Sequence, residues 1–180
     1  WQLAWIEAEG KKITKKQNRF LMWDDLHVSK DAAKVTGFNR ASYEKKAEDP
    51  AIVYKEFVDL INQKDVMIIG QNLLGYDIYI LGVIARQLGL KIDYSFVNRI
   101  FDTKAIATAL AKGNKTPDKD DFVSWQIKWL NHRERGLKSN QKYLLEYYNI
   151  DFDPKKLHDA LYDIEKNFEI FLKQIWELEI

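Results

Sequence analysis

The chain has 180 residues, about the length of one domain with a sizeable core, and a formal net charge of +1. It contains no cysteine, which excludes disulfides and thiolate metal sites and leaves Asp, Glu and His as ligands, a set that favours hard ions such as Mg²⁺ or Mn²⁺. The near-neutral charge excludes a bulk electrostatic attraction to nucleic acid, and the lack of a signal peptide or an apolar run of roughly 20 residues predicts a cytoplasmic protein without membrane contacts.

The N-terminal residues predict a β-hairpin. Residues 1–9 alternate between apolar and polar, as in a strand with one buried face, and residues 13–22 can return as the second arm after a turn at Gly10. The exposed face of this hairpin is basic and comprises Lys11, Lys12, Lys15, Lys16 and Arg19. Such a face more often provides solvation or protects a sheet edge than binds nucleic acid.

Two helical segments and a buried strand are predicted next. A short helical turn is expected within residues 31–39, and a longer helix over residues 51–63. Residues 66–69 form an apolar run without alternation, which is typical of a strand covered on both faces. We therefore expect this strand near the middle of a sheet with helices on both sides.

Asp77 follows that strand after a loop over residues 70–75. A helix is expected from Tyr76, and Asp77 precedes its apolar residues Ile80 and Leu81 by three and four positions, which places the carboxylate on the inward face. Helix capping and metal ligation both explain an acid there. Its position at the carboxyl end of a buried strand favours ligation.

The middle of the chain predicts a second strand and a charged segment. Residues 99–102 predict a short strand that runs into a helix, which Asp102 can cap. Residues 113–140 are charged and rich in turns, and we interpret them as an insertion or lid. Within them, Trp125 and Trp129 have the spacing of a short helix.

The last predicted helix covers residues 154–176. Its apolar stripe comprises Leu157, Leu161, Ile164, Phe168, Phe171 and Ile175. His158 and Asp163 lie about 140° apart on such a helix and flank the stripe. If Leu157 and His158 belong to the preceding loop, the imidazole and the carboxylate can act as a general base beside a metal ligand. The alternative is a surface histidine and a solvated acid.

Three stretches resemble, in this order, the motifs of the DEDD exonuclease superfamily in its histidine branch. They are GQNLLGYD, FDTKAIA and HDALYDIEKNF, and DAAKVTGFN is similar to the family's turn before its first helix. The matching positions are Asn72 and Asp77 in the second motif, Asp102 and Thr103 after the last strand, and His158, Asp159, Ala160 and Asp163 in the third motif.

The resemblance implies a single α/β domain over residues 1–180, with a ribonuclease H-like mixed sheet flanked by helices. It further implies a 3′–5′ exonuclease that hydrolyses phosphodiester bonds at single-stranded DNA or RNA ends with two Mg²⁺ or Mn²⁺ ions. No motif separates DNA from RNA substrates. A polymerase or another replication or repair protein is a candidate partner.

The same resemblance implies roles for individual residues. It assigns metal ligation to Asp77 and Asp163, general-base catalysis to His158, substrate binding to Asn72, and support of these groups to Asp102 and Asp159. A histidine can take a proton from water near neutral pH. His27 and His132 lack a carboxylate context in the sequence, and we expect both at the surface.

One family motif has no match. The first motif, Asp-x-Glu, lies on a strand that precedes the one similar to residues 1–9, and Glu7 and Glu9 sit at the far end of the wrong strand. We therefore expect a segment before Trp1 that supplies a central strand and a further metal-binding acid. The alternatives are an inactive nucleic-acid-binding or interaction module of the same fold, and a nuclease subunit that trims RNA.

Overall fold

The computed structural model describes residues 2–118 and 121–179 as a mixed α/β protein. The strands are β1 (Gln2–Glu9), β2 (Lys12–Leu21), β3 (Ala47–Glu48), β4 (Ile68–Gly70) and β5 (Ile100–Asp102). The helices are α1 (Lys30–Thr36), α2 (Arg40–Lys46), α3 (Pro50–Ile61), α4 (Ile78–Gln87), α5 (Thr103–Ala111), α6 (Phe122–Asn131), α7 (Gln141–Tyr147) and α8 (Ala160–Gln174).

The described residues form two compact units. The first contains residues 2–58 and 153–165, and the second contains residues 59–118, 121–152 and 166–179. Each unit has its own sheet, because β1, β2 and β3 hydrogen-bond together and β4 pairs with β5. No helix among the described residues has both the length and the apolar character needed to cross a bilayer.

The predicted hairpin is confirmed in the first unit. β1 and β2 pair antiparallel, with Gly10 in the left-handed conformation (φ 59°) at the turn, where a residue without a Cβ is unstrained. β3 adds to β2 in parallel, so the sheet is mixed. Trp5 on β1 is buried against Phe57 of α3, with ring centroids 5.3 Å apart.

Three of the five cations on the basic face of the hairpin form ion pairs with acids of the same unit. Arg19 donates from Nη1 to Glu56 at 2.7 Å and also contacts the Glu48 carboxylate. Two further pairs are Lys15 with Glu7 and Lys16 with Glu165. These pairs favour the interpretation of the face as a solvated sheet surface, since three of its five cations have anionic partners.

The expected middle position of the first buried strand is not observed. β4 begins at Ile68, and Met67 is 50% exposed. Among residues 2–118 and 121–179, β4 has β5 as its one strand neighbour, in a parallel pair. An apolar run without alternation does not distinguish a strand buried on both faces from one half-covered by helices.

The outer edge of β5 is covered by a side chain of α6. The Asp102 backbone N–H donates to Gln126 Oε1 at 2.7 Å, and Gln126 Nε2 donates to the Ile100 carbonyl at 2.9 Å. The buried amide therefore occupies the hydrogen-bonding place of a third strand. Trp125 and Trp129 are also buried on α6, so the predicted short helix within residues 113–140 exists and contributes to the core of the second unit.

The last helix is shorter than the predicted 154–176. Pro154–Lys156 form a separate 3₁₀ turn, and α8 begins at Ala160 and ends at Gln174. Leu157 and His158 therefore lie in the turn before the helix, as the general-base interpretation required. The helix starts late because His158 adopts a left-handed backbone (φ 78°), which a right-handed helix does not accommodate.

Candidate functional site

Asn72 stands at the end of β4 in a strained conformation. Its φ of 63° is left-handed, and the five residues after it, Leu73–Asp77, form a π-helical turn. Asn72 Oδ1 accepts a hydrogen bond from Lys104 Nζ at 3.1 Å. Gly75 lies directly beneath, since a Cβ built there would stand 2.7 Å from Asn72 Oδ1. The Asn72 amide is therefore oriented by one hydrogen bond, and it occupies space that a side chain at position 75 would fill.

This arrangement predicts that Gly75→Ala disturbs the Asn72 amide without unfolding the protein. Gly75 has no positive φ, so alanine is conformationally tolerated. We expect oligonucleotide affinity to fall by about three- to tenfold, the value of one hydrogen bond, and to match that of Asn72→Ala. Fluorescence anisotropy measures this.

The control is Gly82→Ala, whose new Cβ would meet the Tyr94 hydroxyl. It should leave oligonucleotide affinity unchanged. A combined Gly75→Ala and Asn72→Ala variant should bind no worse than Asn72→Ala alone. An additive loss would contradict action through Asn72.

Asp102 ties the loop after β4 to the start of α5. Its carboxylate is fully buried and accepts N–H donors from Asn72 (2.9 Å), Leu74 (3.1 Å), Lys104 (3.1 Å) and Ala105 (3.4 Å). The predicted capping of the helix is confirmed. Burial raises the pKa of Asp102 above its ordinary value, although the four N–H donors act to lower it.

Asp77 ends the π-helical turn and precedes α4. The prediction of an inward-facing carboxylate is wrong in part, because the residue is exposed; the π-helical turn rotates it relative to a regular helix. The surrounding protein still desolvates the carboxyl, which raises the pKa of Asp77 to about 6, and the nearby Asp102 charge adds to this. The exposed part remains hydrated, which limits the energetic effect.

The raised pKa predicts a pH-dependent gain in stability for Asp77→Asn. Protonation of Asp77 favours the folded state, so its contribution is fully present below the ordinary pKa of 3.8 and is lost as the pH rises towards about 6. Asparagine resembles the protonated form. We expect the free energy of unfolding to increase by about 1 kcal/mol at pH 7, discounted for hydration, and much less at pH 4.

Urea unfolding at the two pH values measures this difference. The matched control is Asp65→Asn on the exposed surface of the same unit, for which we expect the same small effect at both pH values. A destabilised Asp77→Asn at pH 7 would show that the charged carboxylate stabilises the fold.

The third-motif residues come together in the first unit. The His158 backbone N–H donates to Asp163 Oδ2 at 3.1 Å, and the His158 side chain is exposed. Asp159 caps α8, because its Oδ1 accepts from Tyr162 N at 2.9 Å and its carbonyl accepts from Asp163 N at 2.9 Å. Burial raises the pKa of Asp163, against the lowering effect of the His158 N–H. The carboxylate of Asp163 thus positions the backbone that presents the imidazole.

Left-handed backbone marks two of the residues selected from the sequence. In the described chain, the non-glycine residues with positive φ are Asn72, Asn149 and His158. Asn149 follows α7, where Ile150 N donates to the Leu145 carbonyl in a common helix ending. Asn72 has no helix-ending role, whereas His158 is the third residue of a turn in which the Asp159 N–H donates to the Lys156 carbonyl at 3.1 Å, a position that requires a positive φ. Strained backbone of this kind concentrates at functional positions.

The residues selected from the sequence for metal and proton chemistry are divided between the two units. Asn72, Asp77 and Asp102 lie in the second unit, and His158, Asp159 and Asp163 in the first. Within residues 2–118 and 121–179, no group of three His, Asp or Glu side chains is arranged to hold an ion. Asp77 supplies a carboxylate, the kind of oxygen ligand that hard divalent cations prefer.

The remaining histidines agree only partly with expectation. His27 is exposed, as predicted. His132 is two-thirds covered, and its Nε2 lies 3.3 Å from Glu134 Oε2, so it does have a carboxylate neighbour. Glu134 also pairs with Lys112 at 2.7 Å. This cluster links two surface segments of one unit.

Sequence reasoning missed Lys104 and Gly75. Lys104 lies in the first turn of α5, where the helix dipole disfavours a cation. That unfavourable placement was the available signal that the ammonium has another purpose. Gly75 gave no comparable signal, because its role depends on where the Asn72 side chain lies.

The comparisons with known proteins add no support to the family resemblance, which therefore rests on the sequence motifs alone. No protein-family model matches the chain, and no curated protein is similar to it in sequence.

Proposed function

We propose that the protein is a metal-dependent 3′–5′ exonuclease of ribonuclease H-like fold that acts on single-stranded DNA or RNA ends. The observation that carries this proposal is that two residues selected from the family motifs also have a left-handed backbone. Asn72 and His158, selected from the sequence as substrate and proton-transfer residues, are two of the three described non-glycine residues with a left-handed backbone. The π-helical turn that ends at Asp77 adds support, since such turns occur often at functional sites.

In this proposal Asp77 of the second unit and Asp163 of the first unit are the residues that would offer carboxylate oxygens to Mg²⁺ or Mn²⁺, and each would need further ligands. A bound ion would supply activation of water and stabilisation of the leaving oxygen. His158 accepts the proton of the attacking water at its ring, which its exposed position leaves accessible. Asp163 fixes the main chain of His158 through the 3.1 Å hydrogen bond, so the ring starts from a defined backbone.

Asn72 binds the strand end in this proposal. Its amide is oriented by Lys104 and by the space above Gly75, and Asp102 holds the backbone of the same loop from below. Such rigid support favours a fixed substrate position, because a displacement of about 1 Å can reduce a rate by about a hundredfold.

Matched DNA and RNA oligonucleotides with a labelled 5′ end test the proposal. We expect a ladder that shortens from the 3′ end with Mg²⁺ or Mn²⁺ and no shortening in excess EDTA. A strand whose 3′-terminal internucleotide linkages are phosphorothioates, which resist hydrolysis, serves as the control for direction. Full activity in EDTA would contradict the proposal.

The second candidate is an inactive nucleic-acid-binding module of the same fold. The lack of a three-ligand group among residues 2–118 and 121–179 favours it. A metal titration separates the two, since the exonuclease should bind two manganese ions together with substrate and the module one or none. Binding of an oligonucleotide without cleavage under any metal condition would support the module.

A further inference from the structure

A polar pocket of about 430 Å³ lies within the second unit beside Asn72. Its polar lining includes Gln71, Asn72, Lys104, Lys138, Ser139 and Asn140; we name it the two-lysine pocket. We infer that the two-lysine pocket binds a backbone phosphate of a single-stranded nucleic acid, together with part of the attached nucleotide. This inference rests on the proposed function for the source of the phosphate.

The charge of the pocket is positive and unneutralised. Lys104 is half-buried, and its Nζ donates to a neutral amide oxygen, that of Asn72. Lys138 is exposed, and its Nζ lies 5.8 Å from the centre of the Tyr143 ring. In the described part of the chain no carboxylate forms an ion pair with either ammonium, whereas Lys112 and Lys166 have acidic partners. Two lysines that face one cavity without an anion favour an anionic ligand.

The pocket walls are held in place by hydrogen bonds of their own. Gln71 Nε2 donates to the Ser139 carbonyl at 2.9 Å, which joins the end of β4 to the loop before α7. Asn140 Oδ1 accepts from Tyr143 N at 3.0 Å and so fixes the other end of that loop. A preformed cavity loses little entropy on binding. The lysine donors and the Ser139 hydroxyl can then serve phosphate oxygens.

The size and position of the pocket specify the ligand further. Its volume lies in the range of about 300 to 1,000 Å³ typical of small-molecule sites, which suits a nucleotide unit better than a bare ion. Asn72 forms one wall and begins the loop that ends at Asp77, five residues later. The pocket and Asp77 therefore lie at opposite ends of one five-residue turn of the same unit.

Anisotropy of a 5′-fluorescein oligonucleotide without terminal phosphates, measured in EDTA, tests the inference without any cleavage. The variants are Lys104→Gln, Lys138→Gln and both together. Each phosphate contact contributes about 0.7 to the slope of log affinity against log salt for single strands. We expect the double variant, which leaves this one phosphate without a cation, to lower the slope by about 0.7 and to weaken binding about fourfold near 0.15 M salt.

The matched control is a Lys64→Gln and Lys91→Gln double variant, which removes the same charge from exposed positions of the same unit. An equal change of slope in this control would overturn the inference, because it would show a non-specific charge effect. A loss confined to oligonucleotides with a terminal phosphate would also overturn it, since the ligand would then be a phosphomonoester.

The outcome separates this inference from the proposed exonuclease activity. If the unmodified protein cleaves in a metal-dependent way but the double variant keeps the salt slope, the pocket assignment is refuted and the proposed activity is retained. A reduced slope in a protein that cleaves nothing would retain the pocket as a nucleic-acid site and refute the activity.

Discussion

Replacement of His158 by asparagine is expected to reduce exonuclease turnover by about 100- to 10,000-fold, the usual contribution of a general base. Asparagine is the suitable substitute because it tolerates the left-handed φ of 78° that alanine does not. The backbone N–H that donates to Asp163 is retained. Metal affinity should survive, since His158 is proposed to move a proton and not to hold an ion. Single-turnover kinetics and titration calorimetry measure the two quantities.

Asp163→Asn provides the contrast. It removes a proposed ligand charge, so calorimetry should show weaker metal binding together with the loss of turnover. The matched controls are His27→Asn and His132→Asn, which should leave turnover unchanged. If His158→Asn and Asp163→Asn lost metal affinity equally, the assigned division of roles would be wrong.

Removal of the Asp102 carboxylate is expected to be the most destabilising single change among the residues discussed. Asp102→Ala leaves several backbone N–H groups without an acceptor in a fully buried place. Each orphaned donor costs about 1 to 3 kcal/mol, so we expect a loss of at least about 3 kcal/mol from a typical total of about 5 to 15 kcal/mol. Urea unfolding measures this loss.

Asp102→Asn tests the geometry of the same interaction. One oxygen, Oδ1, accepts from Asn72, Lys104 and Ala105, whereas Oδ2 accepts from Leu74. An asparagine oxygen can keep the first three bonds, but its NH₂ group then faces the Leu74 N–H. We expect a loss of about 1 to 3 kcal/mol, the cost of one unsatisfied donor.

The control for both variants is Asp121→Ala at the exposed start of α6, where Asp121 Oδ1 accepts from Ser124 N at 3.0 Å. Water can replace that acceptor, so the effect should be clearly smaller. Equal destabilisation of Asp102→Asn and Asp102→Ala would show that the negative charge, and not the pattern of acceptors, is what the loop requires.

Local patterns in the sequence determined the elements whose residues interact mainly with their neighbours. The alternation of residues 1–9 predicted β1, and the spacing of Trp125 and Trp129 predicted a helix. The capping role of Asp102 was likewise readable, because a cap acts within three residues of its own position. The place of His158 before α8 was one of two alternatives that the sequence left open, because the helix itself was predicted from residue 154.

The tertiary structure decided the features that depend on residues far apart in the chain. β4 was predicted at the middle of a sheet, and its pairing with β5 depends on residues about thirty positions away. Gln126 covers the edge of β5 across a similar separation, and the meeting of Lys104 with Asn72 depends on the turn of the loop above Gly75. Periodicity reports which face of an element is apolar, whereas long-range hydrogen bonds depend on where that face is placed.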